Sequence, residues 1–206
     1  VIDDLVKHLD SSNREYYRIM NDPNARVAYE QPGGLLNNII PTPSAFEVKP
    51  TFGGYYSFAE MEAAMDALVA AYPGIASKTS IGTTYGGRNI WVIKISDNVG
   101  TDEANEPEML YMGLQHAREA ITGASMIFLM QYLCENYGTD IRIQHLIDNR
   151  VFYIIPCFNP DGWEYNRTSQ GGNAGGMWRK NRRPTSGGYY GVDLNRNWGV
   201  DWANCS

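Results

Sequence analysis

The 206-residue sequence has no long apolar run, few cysteines and no surplus of basic side chains. No apolar stretch reaches the roughly 18 residues that a membrane span needs, so a membrane protein is excluded. The formal net charge of −6 leaves no excess of cations to neutralise phosphates, which argues against nucleic acid as a partner. Three cysteines without C-x-x-C spacing indicate neither a disulfide framework nor a cysteine zinc site.

The overall composition is that of one globular domain, or most of one. Hydrophobic residues make up 43% of the chain and aromatic residues 12%, which is too rich for a solvated tail. The charge is unevenly distributed: residues 1–149 carry a net −9, whereas residues 150–206 carry a net +3. A basic end on an acidic chain calls for a chemical explanation.

The N-terminal quarter of the chain differs in composition from the rest. Ile2, Leu5 and Leu9 recur at helical spacing and predict a short amphipathic helix. Five prolines and two Gly-Gly pairs between residues 22 and 54 predict a connecting or wrapping segment. We therefore place a boundary near Pro50, with an N-terminal extension or pro-segment over residues 1–50 and the main domain over residues 51–206. Because the chain begins with valine rather than an initiator methionine, we expect it to be processed or excised from something longer.

The main domain alternates between strand and helix patterns, which predicts an α/β fold with a mixed, mostly parallel sheet flanked by helices. Ligands of such sheets bind at the carboxyl ends of the strands. The predicted helices cover residues 57–72, 119–136 and 141–147, and the predicted strands cover residues 80–84, 90–95, 109–113 and 151–156.

The region from Asn159 onward is rich in Asn, Gly, Arg and Tyr. The sequence Asn159-Pro160-Asp161-Gly162 has turn chemistry, and three Gly-Gly pairs follow it. We predict a long loop here, and long loops inside compact domains are usually functional.

His116 and Glu119 follow the strand that ends near Gly113, where the next helix is predicted to begin. The i, i+3 spacing at a helix start brings an imidazole and a carboxylate to one side, which suits two ligands of a zinc ion. On its own the pair indicates little, because a histidine near a strand end is more often an ordinary surface or core residue.

Two distal segments add cations and amides. Trp178-Arg179-Lys180 is followed by Gly191-Val192-Asp193-Leu194-Asn195-Arg196-Asn197-Trp198. Arginine is the preferred side chain for bidentate recognition of a carboxylate, and an adjacent asparagine adds a neutral donor. The alternative interpretation is a solvated basic loop, which fits any single arginine better than it fits the group.

Taken together, these motifs resemble the zinc metallocarboxypeptidases of the carboxypeptidase A/B type. They occur in that family's order and with similar gaps, from about Tyr55 to Trp198, while residues 1–50 are not covered. The four motifs are His116-Ala117-Arg118-Glu119, Asn159-Pro160-Asp161-Gly162, Trp178-Arg179-Lys180 and Gly191 to Trp198.

The resemblance implies a metallocarboxypeptidase-like sheet and one zinc ion. His116 and Glu119 match two zinc ligands of the family. Asp193 matches the carboxylate that bonds the far nitrogen of the histidine ligand and fixes its tautomer. A zinc-bound water would then attack the amide.

The resemblance also implies a set of substrate contacts. Arg179 matches the arginine that polarises the scissile carbonyl and stabilises the oxyanion. Asn195 and Arg196 match the residues that hold the terminal carboxylate of the substrate, and Arg118 matches a further arginine that contacts the substrate. Arg179 and Arg196 lie in the basic residues 150–206, which would thus supply cations for the substrate carboxylate.

One part of the family's site has no counterpart in the sequence. Catalytic zinc usually has three protein ligands, and the family's third ligand, a histidine, lies further along the chain with a tyrosine and a glutamate base. His8 and His145 are poor substitutes, because neither lies in a matching segment. We therefore expect residues 51–206 to be the N-terminal part of a truncated catalytic domain, inactive alone, with the remainder of its own domain as a partner.

The predicted function is zinc-dependent hydrolysis of the C-terminal peptide bond of a peptide or protein, with a secreted location suggested by the family. Two alternatives are a related zinc amidohydrolase acting on a cell-wall or other non-peptide amide, and an inactive binding or assembly module on the same scaffold. Asn166 and Asn204 begin N-x-[ST] triplets, which carry little weight because such triplets arise often by chance.

Overall fold

The computed structural model describes residues 43–47, 49, 53–169 and 176–199. The helix predicted over the first ten residues lies outside them, as does most of the proline-rich segment. Pro43–Ser206 forms one compact unit, and the boundary placed near Pro50 stays a prediction. Within the described residues, no helix is both long and apolar enough to cross a membrane.

Four strands in the described part of the chain form one sheet in the order β1-β2-β4-β3. β1 and β2 form an antiparallel hairpin, β2 pairs antiparallel with β4, and β3 pairs parallel with β4. The strands are β1 (Ala76–Thr83), β2 (Asn89–Ile95), β3 (Glu108–Met112) and β4 (Val151–Ile155).

The mixed sheet flanked by helices is confirmed. Among the described strands, one pairing of three is parallel, because the tight turn after β1 forces an antiparallel hairpin and β4 then adds antiparallel to β2. Only the β3 to β4 connection is a crossover long enough to hold helices.

Among the described residues, four α-helices accompany the sheet, and the bounds of the three predicted helices lie close to the predicted ones. The first begins at a capping box in which the Ser57 hydroxyl and the Glu60 carboxylate each accept a backbone N–H of the other's residue. The helices are α1 (Phe58–Ala71), α2 (Ala120–Asn136), α3 (Ile141–Ile147) and α4 (Pro160–Ser169).

The hydrophobic core lies between the helices and the sheet. α2 contacts β2, β3 and β4, and α1 packs against both α2 and β1. Met61 of α1, Ile127 of α2 and Ile154 of β4 are all fully buried in this core. The burial of such side chains holds the sheet rigid, so its carboxyl edge can position loops accurately.

The turn predicted at Asn159 is wrong, since the same residues begin helix α4. The Asn159 side chain accepts the Gly162 N–H at 3.1 Å, as an N-cap does, and Pro160 stands at the first helical position, where no N–H is needed. Residues 159–162 therefore combine helix-start signals that also occur in turns. The loop predicted to follow is partly described, over residues 176–199.

Cys134 and Cys157 are buried free thiols. Burial raises the pKa of the Cys134 thiol to about 12, and burial raises the pKa of Cys157 as well. Both residues therefore stay protonated and act as small core residues rather than as nucleophiles.

The start of α3 offers a test of this fold. Asp140 caps the helix by accepting the Arg142 N–H, and its carboxylate also pairs with the Arg142 guanidinium. The Arg142 side-chain hydrogen bond, against a smaller opposing effect of burial, lowers the pKa of Asp140 below 3.8. In the intact protein, we expect Asp140→Ala to lower the free energy of unfolding by about 1 kcal/mol, or Tm by about 2–4 °C.

The stabilisation that Asp140 contributes should change with pH in one direction only. A carboxyl whose pKa is lowered on folding stabilises the native state above its unfolded pKa, and that contribution is lost as the pH falls. The destabilisation measured by thermal unfolding should therefore be full at pH 7 and shrink below about pH 4. Asp102→Ala, at an exposed loop carboxylate, should change Tm little; an equal loss in both variants would contradict the capping role.

Candidate metal and substrate site

The site begins where β3 and β4 end side by side. Gly113 donates its N–H to Ile155 O at 2.8 Å, and Phe158 donates its N–H to Gly113 O at 3.0 Å. A Cβ on Gly113 would lie 2.7 Å from both Pro156 O and Thr122 O, so only glycine fits there. The loops that follow the two strands are thus held in direct contact.

The chain turns sharply just after β3. Leu114 has a φ of 50°, a left-handed conformation that costs a non-glycine residue on the order of 1 kcal/mol. Its fully buried side chain and the hydrogen bond from its N–H to Thr122 Oγ1, at 2.8 Å, hold it in this conformation. This turn directs the next residues across the carboxyl edge of the sheet.

The turn brings the side chains of His116 and Glu119 together. Glu119 donates its N–H to His116 O at 3.1 Å, and His116 Nδ1 lies 2.9 Å from Glu119 Oε1. The His116 side chain is 10% exposed, whereas that of Glu119 is 48% exposed. The expected i, i+3 proximity is present, but a turn rather than a helix produces it, because α2 begins only at Ala120.

Asp193 and Arg179 lie on the opposite side of the imidazole. Asp193 Oδ1 is 3.1 Å from His116 Nε2, and Asp193 Oδ2 is 3.2 Å from Arg179 Nη2. Arg179 Nη2 is also 3.1 Å from His116 Nε2. A neutral imidazole nitrogen cannot donate to Asp193 and accept from Arg179 at once. The ion pair between Arg179 and Asp193 accounts for the proximity of the guanidinium, and we assign the His116 Nε2 proton to the bond with Asp193.

This assignment leaves His116 Nδ1 without a proton, so that its lone pair faces Glu119 Oε1. Two acceptors 2.9 Å apart repel each other unless a cation or a second ring proton lies between them. A tetrahedral zinc ion holds its nitrogen and oxygen ligands about 3.3 Å apart, close to the observed separation. The donor set and the carboxylate behind the ring therefore fit two ligands of zinc and their outer support.

Asp193 is held as a carboxylate. Burial works to raise its pKa, but the Asn195 N–H, the His116 ring and the Arg179 guanidinium together lower that pKa. The ionised Asp193 carboxylate can therefore accept a hydrogen bond from His116 Nε2.

The residues expected to hold a substrate carboxylate lie beside this group. The short 3-10 helix Leu194–Arg196 begins with the Asp193 carboxylate accepting the Asn195 N–H at 3.0 Å. The side chains of Asn195, Arg196 and Arg118 are exposed. The Arg196 guanidinium donates to Asn195 O at 3.0 Å, so these two residues form one exposed unit adjoining Asp193.

A third metal ligand does not join His116 and Glu119 within the described residues. His145 is exposed on α3, where its carbonyl accepts from Asn149, and His8 lies outside the described residues. His145 is therefore not a substitute ligand.

Two asparagines that sequence reasoning did not place near the site hold it together. Asn159 and Asn166 are 2% and 1% exposed, and both donate to backbone carbonyls on each side of the site. The available signal was the spacing of Asn159, Gly162 and Asn166, which lie on one face once the segment is a helix.

The fold and the donor set define a class: an α/β protein with a candidate zinc site at the carboxyl edge of a mixed sheet. The family model described as "Zinc carboxypeptidase" matches residues 61–205. This chain belongs to the zinc carboxypeptidase family.

Individual relatives support membership of the same family. A zinc carboxypeptidase of Saccharothrix mutabilis subsp. capreolus is 38% identical over 75% of this chain and 34% of its own length. Carboxypeptidase A2 of Mus musculus is 31% identical over 98% of this chain and 45% of its own length. The chain thus spans between a third and a half of these relatives.

Solved structures show the same fold. A crystal structure of thrombin activatable fibrinolysis inhibitor superposes with a TM-score of 0.65 at 26% identity, over 82% of this chain and 42% of that one. Carboxypeptidase A from Helicoverpa armigera superposes with a TM-score of 0.62 at 31% identity, over 75% of this chain and 36% of that one.

The support behind the imidazole can be tested by metal binding to the intact protein. We expect Asp193→Asn to weaken zinc binding by about 10–100-fold, because the amide no longer fixes the His116 tautomer that presents a lone pair at Nδ1. Competition with a zinc-chelating dye measures this. Asp102→Asn removes the same charge from an exposed loop and should leave affinity unchanged; a matching loss in that control would mean that net charge, not the contact, is responsible.

Proposed function

We propose that this protein is a zinc-dependent carboxypeptidase that hydrolyses the last peptide bond of peptides or proteins. The observation that carries the proposal is the imidazole of His116, with Nδ1 turned to Glu119 Oε1 at 2.9 Å and Nε2 bonded to Asp193. Family membership supplies the reaction class. The zinc, when bound, would lower the pKa of a water molecule and act as a Lewis acid toward the carbonyl.

His116 and Glu119 would hold that ion. Asp193 would keep the His116 ring in the tautomer that ligates, and its own charge is balanced by Arg179. The third ligand would come from outside the described residues.

Arg179 would stabilise the negative charge that develops on the carbonyl oxygen. Its side chain is 34% exposed, and one of its terminal nitrogens is anchored by Asp193. Its Nε is buried and has no partner among the described residues. An anchored guanidinium with donors to spare needs little reorganisation to meet an oxyanion.

Arg196, Asn195 and Arg118 would recognise the terminal carboxylate and the residues around it. All three are exposed at the edge where the His116 turn and the Leu194–Arg196 turn lie. An arginine fork with a neighbouring amide favours a planar carboxylate. This arrangement favours a peptide end over an internal amide.

We also propose that residues 51–206 are inactive without a third ligand and a general base from the remainder of the domain. Among the described strands, β3 pairs on one side only, with β4, and its Leu110 is 58% exposed. An uncovered apolar side chain on an edge strand suits packing against further chain. A secreted location completes the proposal and rests on the family resemblance.

The experiment compares two peptides that differ only at the C-terminus, using the intact protein loaded with zinc. We expect the peptide with a free carboxylate to be cleaved with a kcat/KM at least about 10²-fold higher than its amidated twin, because the amide loses charge-assisted hydrogen bonds. Equal cleavage of both would instead favour an amidohydrolase. A folded protein that neither binds zinc nor cleaves either peptide would favour a binding module.

A variant pair identifies the residue responsible. Arg196→Met should remove most of the preference for the free carboxylate, mainly by raising KM. Arg150→Met is the matched control, because Arg150 directly precedes β4 and so lies at the opposite end of that strand. Retention of the full preference in Arg196→Met would refute the assignment of Arg196.

A further inference from the structure

Resting on the proposed function, we propose that Asn166 of α4 is a positioning residue that sets the spacing between the metal-ligand turn and Arg179. Its Nδ2 donates to Ala117 O at 2.8 Å and to Trp178 O at 2.9 Å, and its Oδ1 accepts the Trp178 N–H at 2.9 Å. The residue is 1% exposed. Both hydrogens of its amide nitrogen are thus used, on two different segments.

The segments that Asn166 joins are the ones that carry the chemistry. Ala117 directly follows His116, and Trp178 directly precedes Arg179. A main-chain hydrogen bond from Ala117 N to Arg179 O, at 3.1 Å, lies between the same two segments. A shift of one segment relative to the other would therefore move the Arg179 guanidinium relative to the imidazole.

Asn159 and Gly162 contact the same two segments as Asn166 does. Asn159 donates through Nδ2 to Lys180 O at 3.0 Å and to Gln115 O at 3.3 Å. A Cβ on Gly162 would lie 2.6 Å from Lys180 O and 2.7 Å from Ala117 Cβ. Because these residues and Asn166 stand at positions i, i+3 and i+7, one face of α4 forms a template for both segments.

This role also settles the meaning of the Asn166-Arg167-Thr168 triplet. N-glycosylation would modify Nδ2, the atom that makes both donor bonds in a buried position. The folded protein therefore cannot accept a glycan at Asn166. The Asn166 side chain instead makes hydrogen bonds inside the protein.

Replacement of the carboxamide leaves buried main-chain groups without partners. Asn166→Leu removes all three hydrogen bonds while keeping a similar volume. Asn166→Asp keeps an acceptor for the Trp178 N–H but places a carboxylate oxygen against two carbonyl oxygens. Both variants should loosen the same two segments, because unsatisfied buried groups are costly and drive local rearrangement.

A matched control separates positioning from general stability. Gln131 of α2 is also a buried carboxamide, 3% exposed, and donates to Ala45 O at 3.3 Å, a residue outside both segments. Gln131→Leu should lower Tm as Asn166→Leu does, without loosening either segment.

The experiment measures steady-state kinetics, zinc affinity and amide hydrogen exchange on the intact protein. We expect Asn166→Leu to lower kcat by about 10²-fold with little change in KM, since a displacement of about 1 Å in a reacting group has an effect of this size. Exchange should become faster in residues 113–119 and 177–181 only. Asn166→Asp should show the same pattern, and it provides the test should the leucine variant fail to fold.

Failure of this inference and failure of the proposed function give different results. An unchanged kcat in a folded Asn166 variant, or an equal kcat loss in Gln131→Leu, overturns the positioning role. If the unsubstituted protein neither binds zinc nor cleaves peptides, the proposed function fails, and hydrogen exchange then decides whether Asn166 holds the two segments together. If exchange in the Asn166 variants became faster over the whole domain, the claim that Asn166 holds these two segments together would also be overturned.

Discussion

The parallel pairing of β3 with β4 is the constraint on which the site depends. Parallel strands end at the same edge, so the chain leaving Met112 and the chain leaving Ile155 emerge side by side. The first of these becomes the turn with His116 and Glu119, and the second becomes α4. Gly113 allows the two chains to touch, since any side chain there would collide with backbone. Without this pairing, the turn with His116 and Glu119 and helix α4 would have no fixed position relative to each other.

The electrostatics of the site follow from that geometry. One imidazole lies between two carboxylates, with Glu119 at one ring nitrogen and Asp193 at the other. Arg179 neutralises Asp193 without reaching Glu119 among the contacts described. The side facing Glu119 is thus left with an excess of acceptors and negative charge, which is the environment that a divalent cation fills. The metal-binding proposal rests on this asymmetry rather than on the presence of a histidine.

Much of the fold could be predicted from the sequence, because the signals were local. The capping box at Ser57 and the β-branched run of β2 report on neighbouring residues, and both predicted elements are present. The prediction was wrong where local signals are shared between structures. Asn-Pro-Asp-Gly suits a turn or a helix start, and here the packing of α4 against the site decides for the helix. Strand patterns do not specify pairing partners either, so the strand order β1-β2-β4-β3 came only from the structure.

The sequence by itself determined the family motifs, the placement of His116 and Glu119 after a strand, and the cationic character of the distal segment. The family resemblance already implied the contact between Asp193 and His116, which are 77 residues apart along the chain. Tertiary structure alone decided that Arg179, 63 residues from His116, lies against the same imidazole. It also decided that Asn166 is a buried residue that joins two segments by hydrogen bonds, rather than an exposed glycosylation acceptor. The physical reason is that hydrogen bonds and ion pairs act over a few ångströms in space, while their partners' separation along the chain is set by how strands and helices pack.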